Sequence, residues 1–212
     1  MGTVYLISSA FIFALIAIGL VFILSGAYKK ASILTVILSG IVVTAFFSAA
    51  TSLLTFFADP YSNMPAIVFW LMGSLASATY EKILIALIPF LIGGYAIFAI
   101  RWKINLLSLS DEEAKSFGIN ADFLRFYILV FVALIVSSGV AVVGEVGWVG
   151  LVIPHIAKII FGSDCRYLIP SSAFLGAIFL VIVDTFSRSL TSVEIPIGIL
   201  TAFIGSPIFF IL

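Results

Sequence analysis

The sequence predicts an all-α membrane protein that crosses the bilayer several times. Its 212 residues are 63% hydrophobic and only 9% charged, whereas a soluble domain has about 25% charged residues. A water-soluble fold of this size cannot bury so many apolar side chains, which excludes a cytosolic enzyme. Ten basic residues balance ten acidic ones, so no basic footprint for nucleic acid exists. The apolar stretches do not alternate as barrel strands would, which favours helices.

Charged residues divide the chain into seven apolar segments, and a membrane-spanning helix needs about 20 residues. The predicted spans are residues 2–28, 31–58, 83–100, 126–144, 146–162, 168–186 and 195–212. The region between Asp59 and Tyr80 is uncharged but is interrupted by Pro60, Pro65 and Gly73. These interruptions favour a short re-entrant or surface helix, and an eighth span is the alternative.

The basic residues predict the orientation of the spans, because cytoplasmic loops are enriched in Lys and Arg. With seven spans, one orientation leaves only Lys82 and Arg188 outside. The eight basic residues inside are then Lys29, Lys30, Arg101, Lys103, Lys115, Arg125, Lys158 and Arg166. Residue 1 is therefore expected outside the cell and Leu212 inside.

The longest polar stretch, residues 101–125, falls on the predicted cytoplasmic side. Ser110 and Glu113 have the spacing of a capping box, and Gly118 is suited to a helix C-terminus. We therefore expect a short stiff helix over residues 111–117, outside the membrane. Two interpretations remain open: an ordinary connecting loop, or a docking element for a soluble partner.

Two other features could carry chemistry, the glycine-rich segment 144–150 and His155. The glycine-rich segment 144–150 lacks the dinucleotide spacing, and the chain has no P-loop motif, so it is not expected to hydrolyse ATP. We interpret that segment as a flexible outer turn. His155 follows Pro154 inside a span, where bonding to a carbonyl freed by the proline is favoured over metal binding.

Asp184, Arg188 and Glu194 cluster near the outer end of the sixth span. Asp184 and Arg188 are four residues apart, so they share one face of a helix. The cluster is either a local ion pair or a charged rim that meets a soluble partner.

Five motifs in order resemble the FecCD/BtuC-like permease subunits of type II ABC importers for iron-siderophore, haem and cobalamin. The motifs are WLMGSL at 70–75, LSLSDEEAKSFG at 107–118, GWVGLVIPH at 147–155, DCRYLIP at 164–170, and EIPIG at 194–198 with GSP at 205–207. Such permeases form homodimers in the cytoplasmic (inner) membrane. They pair with ABC ATPase subunits inside and with a substrate-binding protein outside, and hold no cofactor.

The resemblance also implies roles for particular residues. Arg188 matches an arginine that docks the binding protein. Ser32 and Thr35, at the inner start of the second span, match an inner gate region. Trp70, Met72 and Gly73 match positions that face the pathway near its outer side. The ATPase-coupling positions are Leu109, Ser110, Asp111, Glu112, Glu113, Ala114, Lys115, Phe117 and Gly118.

Members of that family have ten spans, and this chain resembles the last seven as a single permease domain over residues 1–212. A split gene, a miscalled start or a fragment would each explain the difference. Two other functions remain as alternatives: an ion-coupled secondary carrier, which needs acidic groups at mid-membrane, and a membrane scaffold that transports nothing.

Overall fold

A computed structural model describes residues 2–25, 33–76, 78–109 and 111–211 of the chain. Nine α-helices account for most of these described residues. Their bounds are α1 Gly2–Ser25, α2 Ile33–Phe57, α3 Asn63–Leu71, α4 Tyr80–Ile104, α5 Asp111–Ser116, α6 Ala121–Val143, α7 Val149–Phe161, α8 Cys165–Ser189 and α9 Ile197–Ile211. A 3₁₀ turn, Asn105–Ser108, follows α4 directly. The predicted all-α, multi-pass class is confirmed.

The seven predicted spans differ in length. Five helices within the described residues, namely α1, α2, α4, α6 and α8, are long and apolar enough to cross a membrane. The other two, α7 and α9, have 13 and 15 residues, or about 20 and 22 Å at 1.5 Å per residue. Both are shorter than the roughly 30 Å hydrocarbon core.

A short helix, α3, occupies the interrupted region between α2 and α4. The carboxylate of Asp59 starts the turn before it, accepting from the Tyr61 N–H at 2.9 Å and the Ser62 hydroxyl at 3.0 Å. The helix has nine residues, about 14 Å, which is too short for the alternative of an eighth span.

Small residues let the central helices approach each other closely. A Cβ placed on Gly93 of α4 would lie 2.9 Å from the Phe131 carbonyl oxygen of α6. On α6 the side chains of Ala133, Ser137 and Ser138 are buried. Such close contact is how membrane helices associate without a hydrophobic driving force.

Because successive long helices run in opposite directions, the connections between them lie at two ends of the molecule. The inner end, named for the predicted orientation, comprises residues 105–109, 111–120 and 162–166. The outer end comprises residues 72–76, 143–148 and 190–197. The 25 residues of α8 separate the two ends by about 36 Å.

Candidate functional site

The connection between α4 and α6 forms a compact segment at the inner end. Within α5 the Ser116 hydroxyl donates to the Glu113 carbonyl at 2.7 Å. The helix stops at Gly118, whose φ is 75° and whose N–H donates to the Lys115 carbonyl at 2.9 Å. The predicted helix over 111–117 is present, ending one residue earlier at Ser116.

One side of this segment is buried, and apolar side chains on it are exposed. Ala114 is 1% exposed, whereas Phe117 is 66% exposed and Leu109 is also exposed. Glu113 and Lys115 are exposed beside them. Ser110, and with it the predicted capping box, lies outside the described residues, as do the side chains of Asp111 and Glu112.

Two asparagines attach this segment to neighbouring helices. Asn120 caps α6, since its Oδ1 accepts from the N–H groups of Asp122 and Phe123 at 3.1 and 3.2 Å. Asn105 contacts the start of α8 through Asp164 at 2.7 Å and the Cys165 N–H at 2.8 Å. The segment is therefore fixed at both of its ends.

Asp164 caps α8, and its hydrogen bonds lower its pKa. Its Oδ1 accepts from the Arg166 backbone N–H at 2.9 Å and from the Asn105 amide at 2.7 Å. These bonds, the backbone one first, stabilise the charged form and lower the pKa of Asp164 below its ordinary value of 3.8. At neutral pH the cap is a carboxylate.

The outer end is joined by main-chain hydrogen bonds. Residues just after α3 bond both to the end of α6 and to the start of α9. The Ser74 N–H donates to the Val143 carbonyl at 2.8 Å. The N–H of Ile197 donates to the Gly73 carbonyl and that of Gly198 to the Met72 carbonyl, each at 3.0 Å. We call this meeting of α3, α6 and α9 the outer junction.

Glycine is required at two positions of the outer junction. Gly73 and Gly144 have φ of 71° and 79°, a region that is unfavourable for residues with a Cβ. A Cβ on Gly73 would collide with the Glu145 carbonyl, and one on Gly144 with the Trp70 carbonyl. The expectation of a flexible outer turn at 144–150 is therefore corrected: its first residues pack tightly against the end of α3.

Trp148 adopts a conformation that is rare for a large side chain. Its φ is 66°, and such strain persists only where the surroundings impose it. Here the Trp148 side chain packs on Gly205, and its ring meets Phe209 edge-on with centroids 6.3 Å apart. The His155 ring also meets Phe209 edge-on, at 6.4 Å, so this histidine is part of the α7–α9 contact.

Two grooves flank the end of α3 and share Leu71 and Glu145. One, of about 630 Å³, also contains Met72, Trp148 and Phe203 in its walls. The other, of about 480 Å³, runs along hydroxyl groups of α2. Those hydroxyl groups belong to Thr44, Ser48, Thr51 and Ser52.

The predicted charged cluster divides into two contacts. The Arg188 Nε lies 3.0 Å from each carboxylate oxygen of Asp184, so the local ion pair is present, and 52% of the Arg188 side chain stays exposed. Glu194 accepts from the Ser74 hydroxyl at 3.0 Å, which ties it to the outer junction.

The predicted pathway residues lie at opposite ends of the molecule. Trp70, Met72 and Gly73 lie together at the outer junction, whereas Thr35 lies in the first turn of α2, near the inner end. Ser32 lies outside the described residues. Of the positions that the structure describes, the three at the outer end lie together in one site.

Sequence reasoning missed Asn105 and Glu145 as site residues. Asn105 is an isolated polar residue whose partners lie 59 and 60 positions away, so no local pattern reveals it. Glu145 could have been noticed as a charge between glycines, but only the fold shows that it lies between two grooves.

Comparison with known proteins shows what the chain is similar to. It is 40% identical over 207 residues, 98% of its length, to the molybdate import system permease protein MolB of Haemophilus influenzae. It is 43% identical over 178 residues, 84% of its length, to the probable iron chelatin transport system permease protein of Helicobacter pylori. The chain spans 61% and 54% of these relatives.

A solved structure resembles the fold closely. It is an inward-facing conformation assigned to a metal-chelate type ABC transporter, with a TM-score of 0.84 and 40% identity. The match covers 91% of this chain and 61% of the solved one. Together with the apolar helices, these relatives confirm a multi-pass protein of the cytoplasmic (inner) membrane. The model of the FecCD transport family matches residues 1–212, and the chain therefore belongs to that family.

Proposed function

We propose that this chain is the permease subunit of an ABC importer, coupled to a separate ATPase. The observation that carries the proposal is the segment at the inner end. It is short, closed by Gly118 and held at both ends, and it exposes Leu109 and Phe117. A rigid element with an apolar tip suits a soluble partner that must displace it, because a flexible loop would absorb the movement.

The coupling positions are the predicted ones: Leu109 through Lys115, with Phe117 and Gly118. ATP binding by the partner displaces α5, and the attached helices carry the displacement to the outer junction. The chain itself supplies no chemistry. It forms the transport pathway and transmits the movement, and a partner subunit hydrolyses ATP.

A second copy of the chain completes the conduit. The groove beside Met72 and Trp148 is open on one side, and Phe203 in its wall is 76% exposed. A closed pathway therefore needs another surface opposite it, which a homodimer provides. Trp70, Met72 and Gly73 would then lie beside the pathway near its outer mouth.

The cargo is proposed to be a metal chelate of the iron-siderophore, haem or cobalamin kind. Two relatives support this class, the iron chelatin permease and the metal-chelate type transporter. A molybdate permease is among the relatives as well, so uptake into vesicles should compare an iron chelate with molybdate. An extracytoplasmic binding protein would deliver the cargo at the outer end, where Arg188 is exposed.

The experiment for the coupling role replaces one exposed ring. Phe117→Ala removes the apolar tip of the segment without opening a cavity, because the ring is mostly exposed. We expect the affinity for the ATPase subunit to fall about tenfold, as for a central interface residue. Pull-down and binding measurements in detergent or nanodiscs would quantify the loss.

The matched control is Phe174→Ala, which removes an equally exposed ring from the middle of α8. This change should leave ATPase binding as in the unmodified chain. Equal binding by the Phe117 and Phe174 variants would show that the segment does not contact an ATPase.

A further inference from the structure

The side chain of Asn105 joins two distant parts of the inner end. Asn105 lies where α4 ends and the turn toward α5 begins. Its Nδ2 donates to Asp164 Oδ1 at 2.7 Å, and its Oδ1 accepts from the Cys165 N–H at 2.8 Å. The amide thus uses a donor and an acceptor on the two consecutive residues that start α8.

This double contact fixes direction as well as distance. A single hydrogen bond would let the amide rotate, whereas two bonds of opposite polarity allow one orientation. Asp164 also accepts from the Arg166 N–H at 2.9 Å, as the cap of α8. Asn105 is therefore held to the first turn of the helix itself.

The opposite end of α8 is attached to the outer junction. Ser187 is fully buried, its hydroxyl donates to the Ile195 carbonyl at 2.6 Å, and the Ile195 N–H donates back to the Ser187 carbonyl at 3.2 Å. Two residues later, Ile197 bonds to the Gly73 carbonyl at 3.0 Å. One stiff helix therefore connects the inner segment with the residues that hold α3.

We propose that Asn105 is a positioning residue that holds the α5 segment on the first turn of α8, so that a displacement of α5 moves α8 and the outer junction. The inference rests on the proposed function, because it takes α5 as the contact of the ATPase. It adds the route by which the displacement passes from α5 to α8 and the outer junction.

An exchange of the two side chains tests this route. Asn105→Asp places a carboxylate against Asp164, so the Nδ2 hydrogen bond is replaced by repulsion. Adding Asp164→Asn replaces the repulsion with a hydrogen bond of reversed direction, because the carboxylate now at position 105 accepts from the amide nitrogen now at position 164 and from the Cys165 N–H. The Arg166 N–H, which shares Asp164 Oδ1 in the unmodified chain, loses its side-chain acceptor in the exchanged pair. Asn120→Asp is the matched control, because it adds the same charge at the same end while an aspartate still caps α6.

The first measurement reports position without any partner. Spin labels on Ser116→Cys in α5 and Tyr167→Cys in α8, in a Cys165→Ser background, give the distance between the two helices. We expect a broadened distance distribution with Asn105→Asp and a narrow one again with the exchanged pair. The Asn120→Asp control should keep the narrow distribution.

The second measurement reports coupling, in vesicles that contain the complete transporter with its ATPase and binding protein. Asn105→Asp should keep ATPase binding but reduce the binding-protein-stimulated ATP turnover about fivefold or more. The exchanged pair should return it toward the unmodified value. A merely structural role would lower assembly and turnover together.

Two outcomes would overturn the inference: full stimulated turnover with Asn105→Asp, or no recovery with the exchanged pair. Failure of the proposed function is a separate result, because it appears as absent ATPase binding by the unmodified chain. In that case the coupling role of Asn105 falls as well, and the label distances show only a structural contact.

Discussion

The two ends of the molecule are held together by different kinds of contact. At the outer junction, backbone groups of three segments bond to one another, and Gly73 and Gly144 allow the close approach. At the inner end, the side chains of Asn105, Asp164 and Asn120 make the connections. Side chains contribute at the outer end as well, through Ser74 with Glu194 and Ser187 with Ile195. Its main-chain contacts, however, require the absence of a side chain at particular positions, whereas the inner contacts require specific side chains.

This difference affects how each end responds to a displacement. Backbone bonds surrounded by close packing have little freedom to rearrange, because any shift leaves a donor or acceptor without a partner. Side-chain bonds near the surface exchange with water at small net free energy. We therefore expect the outer junction to move as a unit, whereas substitution of a single side chain can release the contact at the inner end.

The largest effect is expected from Gly73→Ala at the outer junction. The added Cβ meets the Glu145 carbonyl in a backbone conformation that already disfavours it. Overpacking of this kind lowers the free energy of unfolding by about 1–3 kcal/mol. Unfolding of the purified chain in mixed micelles, followed by circular dichroism, would measure the loss.

Gly94→Ala is the matched control for that substitution. Gly94 lies within α4, and a Cβ there has no neighbour within 4 Å. Its free energy of unfolding should stay the same or rise by up to about 1 kcal/mol, because alanine favours the helix. If both glycine variants unfold alike, the outer junction is not a close-packed contact.

A smaller effect, on binding and not on folding, is expected from Arg188→Gln. The guanidinium pairs with Asp184 at the exposed outer end of α8, and an exposed ion pair contributes little to stability. The binding protein should dock several-fold more weakly and with a flatter dependence on salt concentration. Titration at two ionic strengths would show it, and an unchanged salt dependence would remove Arg188 from the docking surface.

The smallest effect concerns pH at the inner end. The Arg166 N–H and the Asn105 amide lower the pKa of Asp164 in the folded chain. A depressed carboxyl pKa stabilises the fold above the pKa of the unfolded chain, and this contribution disappears as the pH falls through the folded value. Melting temperatures between about pH 6 and pH 3 should fall more steeply for the unmodified chain than for Asp164→Asn. Equal slopes would mean that the Asp164 cap does not depend on its charge.

Much of the fold could be predicted because it follows from local chemistry. The long uncharged stretches had to become helices in lipid, and Pro60, Pro65 and Gly73 limited α3 to a short helix. Gly118 marked the stop after α5, where the structure has it. The segment around Phe117 could also be predicted, because it lies in the polar stretch 101–125 and its helix signals are close together in the sequence.

The sequence by itself determined the membrane class, the order of the helices and the inner segment with its stop at Gly118, since these depend on neighbours within one or two turns. Only the tertiary structure decided the outer junction, the two grooves beside Glu145 and the contact of Asn105 with α8. These depend on groups far apart in the chain, and at the outer junction on backbone atoms that every residue shares. The glycines at positions 73 and 144 and the asparagine at position 105 can be read from the sequence, but their partners cannot, so these contacts became visible only once the helices were packed.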